Sequence, residues 1–169
     1  MNITVYAASS GQVPAVYLDA ARNLGTLIAQ RGHALVNGAG RTGLMGATTE
    51  GVLASGGCAI GVIPQFMVDE GWHNTDMSKL IVTPDMHTRK QTMAEISGAC
   101  IALPGGVGTL EELLEIITWK QLGLYLKPIV VLNVDGYFNP LLEQLKTAVD
   151  QRFMRQEHQQ IWSVATTPE

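Results

Sequence analysis

The feature that most restricts how this chain can fold is the strict alternation of short apolar runs with longer stretches of helical period. The candidate strands are Ile3–Ala7, His33–Asn37, Cys58–Ile63, Leu80–Thr83, Cys100–Leu103 and Pro128–Asn133. Most are apolar on successive residues, as strands buried on both faces of a parallel sheet must be. Between them fall candidate helices near Pro14–Arg31, Leu44–Ala54, Asp85–Ser97, Leu110–Leu122 and Asn139–Arg152. The first shows its apolar face in Tyr17, Ala20, Ala21, Leu24, Leu27 and Ile28, and the last in Leu141, Leu142, Leu145 and Val149. Right-handed crossovers then give an α/β fold, a doubly wound parallel sheet with helices on both faces. The closing residues, IWSVATTPE, read as a final strand followed by a clipped helix start. In such sheets ligands bind beyond the carboxyl ends of the strands. Ser9-Ser10, Gly38–Gly43, Pro64–Asp69, Pro84–Arg89 and Pro104–Thr109 all fall at those ends and are expected to converge on one crevice.

The 169 residues suit a single domain spanning 1–169, with no repeat, linker or low-complexity stretch. Charged residues make up only 15% of the chain, against roughly 25% in an average domain. A second subunit covering part of the surface accounts for that, so a homodimer is expected. A formal charge of −4 argues against a nucleic-acid groove. Cys58 and Cys100 lie in apolar runs and read as buried free thiols. There is no CxxC and no histidine pair at i, i+4, so no metal site is expected. The start MNITVYAASS enters a strand directly, without a signal-peptide pattern, and no apolar run reaches the ~18 residues of a membrane span. A cytoplasmic protein with no membrane partner is the expectation.

Two glycine-rich turns stand out. NGAGRTGLMG contains G-x-G-x-x-G at Gly38, Gly40 and Gly43, between a strand and a helix. It follows the second strand rather than the first, and Ile63-Pro64 stand where a ribose-reading acid belongs in a dinucleotide site. In LPGGVGTLEE, Gly105, Gly106 and Gly108 allow a tight turn that aims successive amides at one point. Thr109 and Glu112 fit a T-x-x-E capping box, yet a capping box requires no glycine. The alternative is a phosphate on the loop amides, with a carboxylate set to one side where it meets the sugar. That arrangement suits cleavage of an N-glycosidic bond, whose transition state carries positive charge on the ribose. TPDMHTRKQTM supplies the cations: Thr83 reads as a cap and Pro84 as the first helical residue. Met86, Arg89, Lys90 and Met93 then share a face, either as a solvated basic pair above inward methionines or as an anion site. Ser9 and Ser10 read as turn or cap residues, with a phosphate contact as the functional alternative. His87 has no partner acid at a diagnostic spacing, and Glu70 sits in an irregular segment. Glu111, Glu115 and Thr118 share a helix face that is either solvated or a subunit contact.

PGGVGTLEE at Pro104–Glu112 resembles the PGGxGTxxE motif of the LOG (Lonely Guy) family, the cytokinin riboside 5′-monophosphate phosphoribohydrolases. GLMG at Gly43–Gly46, GVIP at Gly61–Pro64, DMHTRK at Asp85–Lys90 and EELLEIITWKQLG…KPIVVLNVDGY at Glu111–Tyr137 follow in family order, so the similarity spans nearly the whole chain. The resemblance implies a Rossmann-like fold, no cofactor, and a dimer with active sites near the subunit interface. It implies hydrolysis of AMP, or of an N6-substituted AMP, to free base and ribose 5-phosphate. Carried over, Arg89 and Glu112 are catalytic. Glu70 (with a one-residue shift), Lys90, Gly105, Gly106, Val107, Gly108, Thr109, Leu110, Glu111 and Thr118 bind substrate. The chain departs from the family pattern at Ala7-Ala8 for CG, at Asn37-Gly38-Ala39-Gly40 for YGGG, and at Thr88 for glutamate. Those changes bear on base preference more than on chemistry. Some members carry a lysine decarboxylase label, but no lysine here is set up as a Schiff base. Two rival readings stay open: a nucleotide-binding carrier or sensor without turnover, and an NAD(P)-dependent oxidoreductase.

Overall fold

A computed structural model describes residues 1–169. Seven strands form one parallel sheet: β1 (Asn2–Tyr6), β2 (Ala34–Asn37), β3 (Cys58–Pro64), β4 (Lys79–Thr83), β5 (Ala99–Ala102), β6 (Ile129–Leu132) and β7 (Ser163–Ala165). Their order is β4-β3-β2-β1-β5-β6-β7. The helices are α1 (Ala15–Gln30), α2 (Gly43–Ala54), α3 (Gln65–Asp69), α4 (Met86–Ile96), α5 (Val107–Gln121) and α6 (Asn139–Asp150). Short 3₁₀ turns at Val134–Gly136 and Gln156–Gln160 complete the chain.

Alternation along each strand divides the core in two. In β1, Ile3 and Val5 point with Ala21, Leu24, Ile28 and Val52 into the layer under α1 and α2. Tyr6 points the other way, among Met93, Leu113 and Ile116 under α4 and α5. The chain winds outward from β1 to β4, then returns across the sheet to place β5 on the far side of β1. The last rungs between these two strands are Leu103 N–H to the Tyr6 carbonyl (2.8 Å) and Ala8 N–H to the Pro104 carbonyl (3.1 Å). Beyond them the loops diverge, which opens a crevice at the switch point.

The predicted fold holds, and so does a final strand at β7, but bends rather than a helix start follow it. Four other local expectations do not hold. The α5 helix starts at Val107 with Gly106 as its cap, so Thr109 is already inside the first turn and the capping box does not form. The α4 helix is capped by Asp85, whose carboxylate accepts the Thr88 amide at 2.7 Å, so neither Thr83 nor Pro84 has the predicted role. Cys58, at the outer end of β3, is exposed, whereas Cys100 is buried as expected. The segment after β3 begins with a five-residue helix, α3, that has no sequence period to announce it.

Candidate active site

The crevice at the switch point has a volume of about 750 Å³. One wall comes from Ala7–Ser10 after β1 and from Gly38–Met45 between β2 and α2. The other is the Gly106–Thr109 turn with Glu111 and Glu112, and Arg89 forms the floor.

Gly106 and Gly108 are the informative glycines. Gly106 has an ordinary negative φ (−83°), and Gly108 lies within regular helix. A Cβ added at either would meet nothing within 4 Å. Neither packing nor backbone conformation calls for glycine there; what glycine does is keep the space above the turn clear. The first three amides of α5, those of Val107, Gly108 and Thr109, have no acceptor in the protein; the helical ladder begins with Leu110 N–H to the Gly106 carbonyl at 3.0 Å. Unpaired amides at the positive end of a 15-residue helix are able to receive an anion. Tyr137 braces the turn from behind, its hydroxyl donating to the Gly105 carbonyl at 2.6 Å. Thr109 is buried, folded back beneath Gly105.

Arg89 is buried and held by backbone. Its Nε donates to the Val62 carbonyl at 2.9 Å and its Nη2 to the Gly38 carbonyl at 3.2 Å. Gly38 makes this seat possible, since a Cβ there would lie 1.8 Å from Nη2. Nη1 has only the weak thioether acceptor of Met86, at 3.6 Å, so one edge of the guanidinium keeps bonding capacity. Burial lowers the Arg89 pKa from its ordinary value, opposed by the negative charges of Glu112 and Glu111, and the group stays cationic.

Glu112 is partly buried and makes no hydrogen bond or ion pair. Burial raises its pKa to about 7; Arg89 opposes the shift and Glu111 adds to it. An unpartnered carboxyl group poised near neutrality beside a fixed guanidinium can take and return a proton.

The remaining expected site residues divide. Glu111 lines the crevice together with Gly106, Val107, Gly108 and Thr109. Gly105 lies beneath the turn, and Leu110 does not line the crevice. Glu70, exposed at the end of α3, and Thr118, which bonds the Leu114 carbonyl on the outer face of α5, do not line it either. Lys90 is neither solvated nor in the crevice: it is buried, with Nζ bonded to Glu111 and, at 3.2 Å, to Glu115. Those bonds raise its pKa against the opposing effect of burial.

Sequence reasoning missed an apolar end of the crevice made by Met45, Ile63, Met67, Trp72 and Met86. Its only sequence signal was large apolar residues just past strand ends. Trp72 reaches the rim because its segment is strapped to the glycine turn. His73 forms an antiparallel bridge with Gly40, and the Asn74 amide donates to the Ala39 carbonyl at 2.7 Å. Two departures from the family pattern prove to be linked. Ala39 sits in the left-handed region at φ 61°, and the Asn37 carboxamide oxygen accepts its amide at 2.9 Å to hold it there.

The family described as "Possible lysine decarboxylase" matches residues 45–169. The probable cytokinin riboside 5′-monophosphate phosphoribohydrolase LOGL2 of Oryza sativa subsp. japonica is 44% identical over 167 residues, covering 99% of this chain and 68% of that protein. The cytokinin riboside 5′-monophosphate phosphoribohydrolase LOG1 of Arabidopsis thaliana is 45% identical over 153 residues, covering 90% of this chain and 72% of that one. Among solved structures, the Moco carrier protein from Chlamydomonas reinhardtii superposes with a TM-score of 0.72 at 26% identity, over 99% of this chain and 90% of that one. The decarboxylase description finds no chemical counterpart in Lys90: a Schiff-base lysine needs a depressed pKa and a free amine, and this one is ion-paired twice.

Proposed function

This chain belongs to the LOG family of cytokinin riboside 5′-monophosphate phosphoribohydrolases, and on that premise we propose that it hydrolyses the N-glycosidic bond of adenosine 5′-monophosphate or its N6-substituted forms. The products are free base and ribose 5-phosphate. One observation carries the reading: Gly106 and Gly108 keep the space above three unpaired amides clear, and an unpartnered carboxyl group lies one turn along the same helix.

The 5′-phosphate sits on the amides of Val107, Gly108 and Thr109, where the helix end and the loop dipoles favour a dianion. Glu112, a turn further on, faces the ribose. As the C1′–N9 bond breaks, its electron pair leaves with the base, and positive charge builds on the sugar ring. The Glu112 carboxylate stabilises that charge and takes a proton from the water whose oxygen bonds to C1′. The departing base takes up one proton, so the sum is one water consumed. Arg89 orients the substrate and balances the carboxylate charge. Met45, Ile63, Met67, Trp72 and Met86 offer an adaptable apolar end for the base and an apolar N6 substituent.

The reading extends to assembly and location. Residues 1–169 act as one domain, since strands from both ends of the chain share the sheet. Leu114, Leu122, Leu124 and Leu126 are exposed along α5 and the turn after it. Leu124 and Leu126 line a second cavity of about 550 Å³ together with His87, Gln91, Glu115, Trp119 and Tyr125. A patch of this kind supports a homodimer formed through α4 and α5. No helix is long and apolar enough to cross a membrane. Two unpaired cysteines suit a reducing cytoplasm.

The test is incubation of the pure protein with AMP, N6-isopentenyl-AMP, GMP and CMP, with released base followed by chromatography. Base release from the two adenine nucleotides is expected. Thermal stabilisation by AMP with no adenine released over a long incubation would make the protein a carrier instead.

A further inference from the structure

The structure assigns Lys90 the part of a positioning residue, a clasp between α4 and α5 that holds Arg89 and Glu112 in place beside each other in the crevice; this rests on the reaction proposed above. The geometry is one of two neighbouring pairs. On α4, residues 89 and 90 project in different directions: Arg89 to the strand ends, Lys90 to α5. On α5, Glu112 faces Arg89, and Glu111 with Glu115, one turn apart, face Lys90.

Four observations support the clasp. The Lys90 side chain is only 10% exposed, so its ammonium has little contact with water. Its protons go to the carboxylates of Glu111 and Glu115, the latter at 3.2 Å. These are the sole side-chain hydrogen bonds joining the two helices. Glu111, Glu112 and Glu115 crowd three carboxyl groups into little more than one helical turn, and Lys90 offsets the repulsion that would twist or fray the helix start there. The ammonium lies behind the crevice wall and does not line it. A substrate contact would leave Glu115 without a role in turnover, because Glu115 borders the second cavity and not the crevice. A clasp gives Glu115 the same role as Lys90.

That difference sets the experiment. Lys90→Met, Glu115→Gln and the double variant are assayed for kcat and KM on AMP, with AMP affinity by calorimetry and folding by circular dichroism. Each single variant is expected to lower kcat by ~10–100-fold, the range for a modest misplacement of reacting groups, with KM and AMP affinity within about twofold of wild type. The double variant should match the singles rather than multiply them, as partners in one interaction do. Lys90→Arg, which keeps the charge and both bonds, should recover most of the rate. A raised KM in Lys90→Met beside a silent Glu115→Gln would make Lys90 a substrate contact and end the proposal. Lower melting temperatures with unchanged kcat would end it too, leaving only a stabilising pair. Should Lys90→Met fail to fold, the near-isosteric Glu115→Gln decides alone. Wild type is assayed first, so absent base release refutes the reaction and not the clasp.

Discussion

Glu112 combines partial burial and a raised pKa with no hydrogen bond to satisfy it, and this gives two separable expectations. In steady-state assays Glu112→Gln lowers kcat by ~10²–10⁴-fold if the carboxylate serves the water and the sugar. The wild-type rate falls as pH drops below about 7, where the group takes up its proton. Stability runs the opposite way. A carboxyl group whose folded pKa lies above its unfolded value of 4.5 contributes most below that value. The contribution is lost as pH rises towards about 7, so ΔG of unfolding for wild type should decline against Glu112→Gln by up to ~3 kcal/mol. Urea titrations at several pH values measure it. Asn37 offers a second residue-scale test. Asn37→Ala orphans the buried Ala39 amide and takes one donor from the Thr49 hydroxyl, which keeps its bond to the Met45 carbonyl, and should cost ~2 kcal/mol in urea unfolding. Adding Ala39→Gly, which removes the left-handed penalty, should recover about half of that.

The start of α5 is the element on which the proposed phosphate site rests. Gly108→Ala places a methyl group where no protein atom stands within 4 Å, and alanine favours helix over glycine by up to ~1 kcal/mol. The melting temperature should therefore hold or rise, while the methyl obstructs the phosphate. The preference in kcat/KM for AMP over adenosine should fall by ~10-fold or more, the worth of charged hydrogen bonds lost; an unchanged preference would place the phosphate elsewhere. The same element marks what the sequence could reveal. The strands and long helices were legible because burial on both faces of a parallel sheet writes continuous apolar runs, and amphipathic helices write a period. The T-x-x-E pattern at Thr109 was misleading because a local signature cannot register the Ala8–Pro104 rung, beyond which the chain turns and enters helix at Gly106. Lys90 read as either a solvated or an anion-binding cation because its partners lie 21 and 25 residues away. The short α3 carries no period at all, so the Met67 and Trp72 wall went unseen.

At the scale of the whole molecule, the proposed second copy would account for both the low charge density and the exposed leucines along and after α5. Leu124→Glu with Leu126→Glu, at positions 73% and 83% exposed in the single chain, should leave the fold intact and convert a dimer to a monomer by light scattering. A wild type already monomeric at micromolar concentration would overturn the assignment. The return of the chain from β4 to β5 has a different consequence. Residues before the crossing supply one flank of the cleft and those after it supply the opposite flank, with Arg89 on the connecting helix. Two fragments severed ahead of β5 would each be inert, and base release would return only on their reunion, making nucleotide cleavage a reporter of fragment complementation.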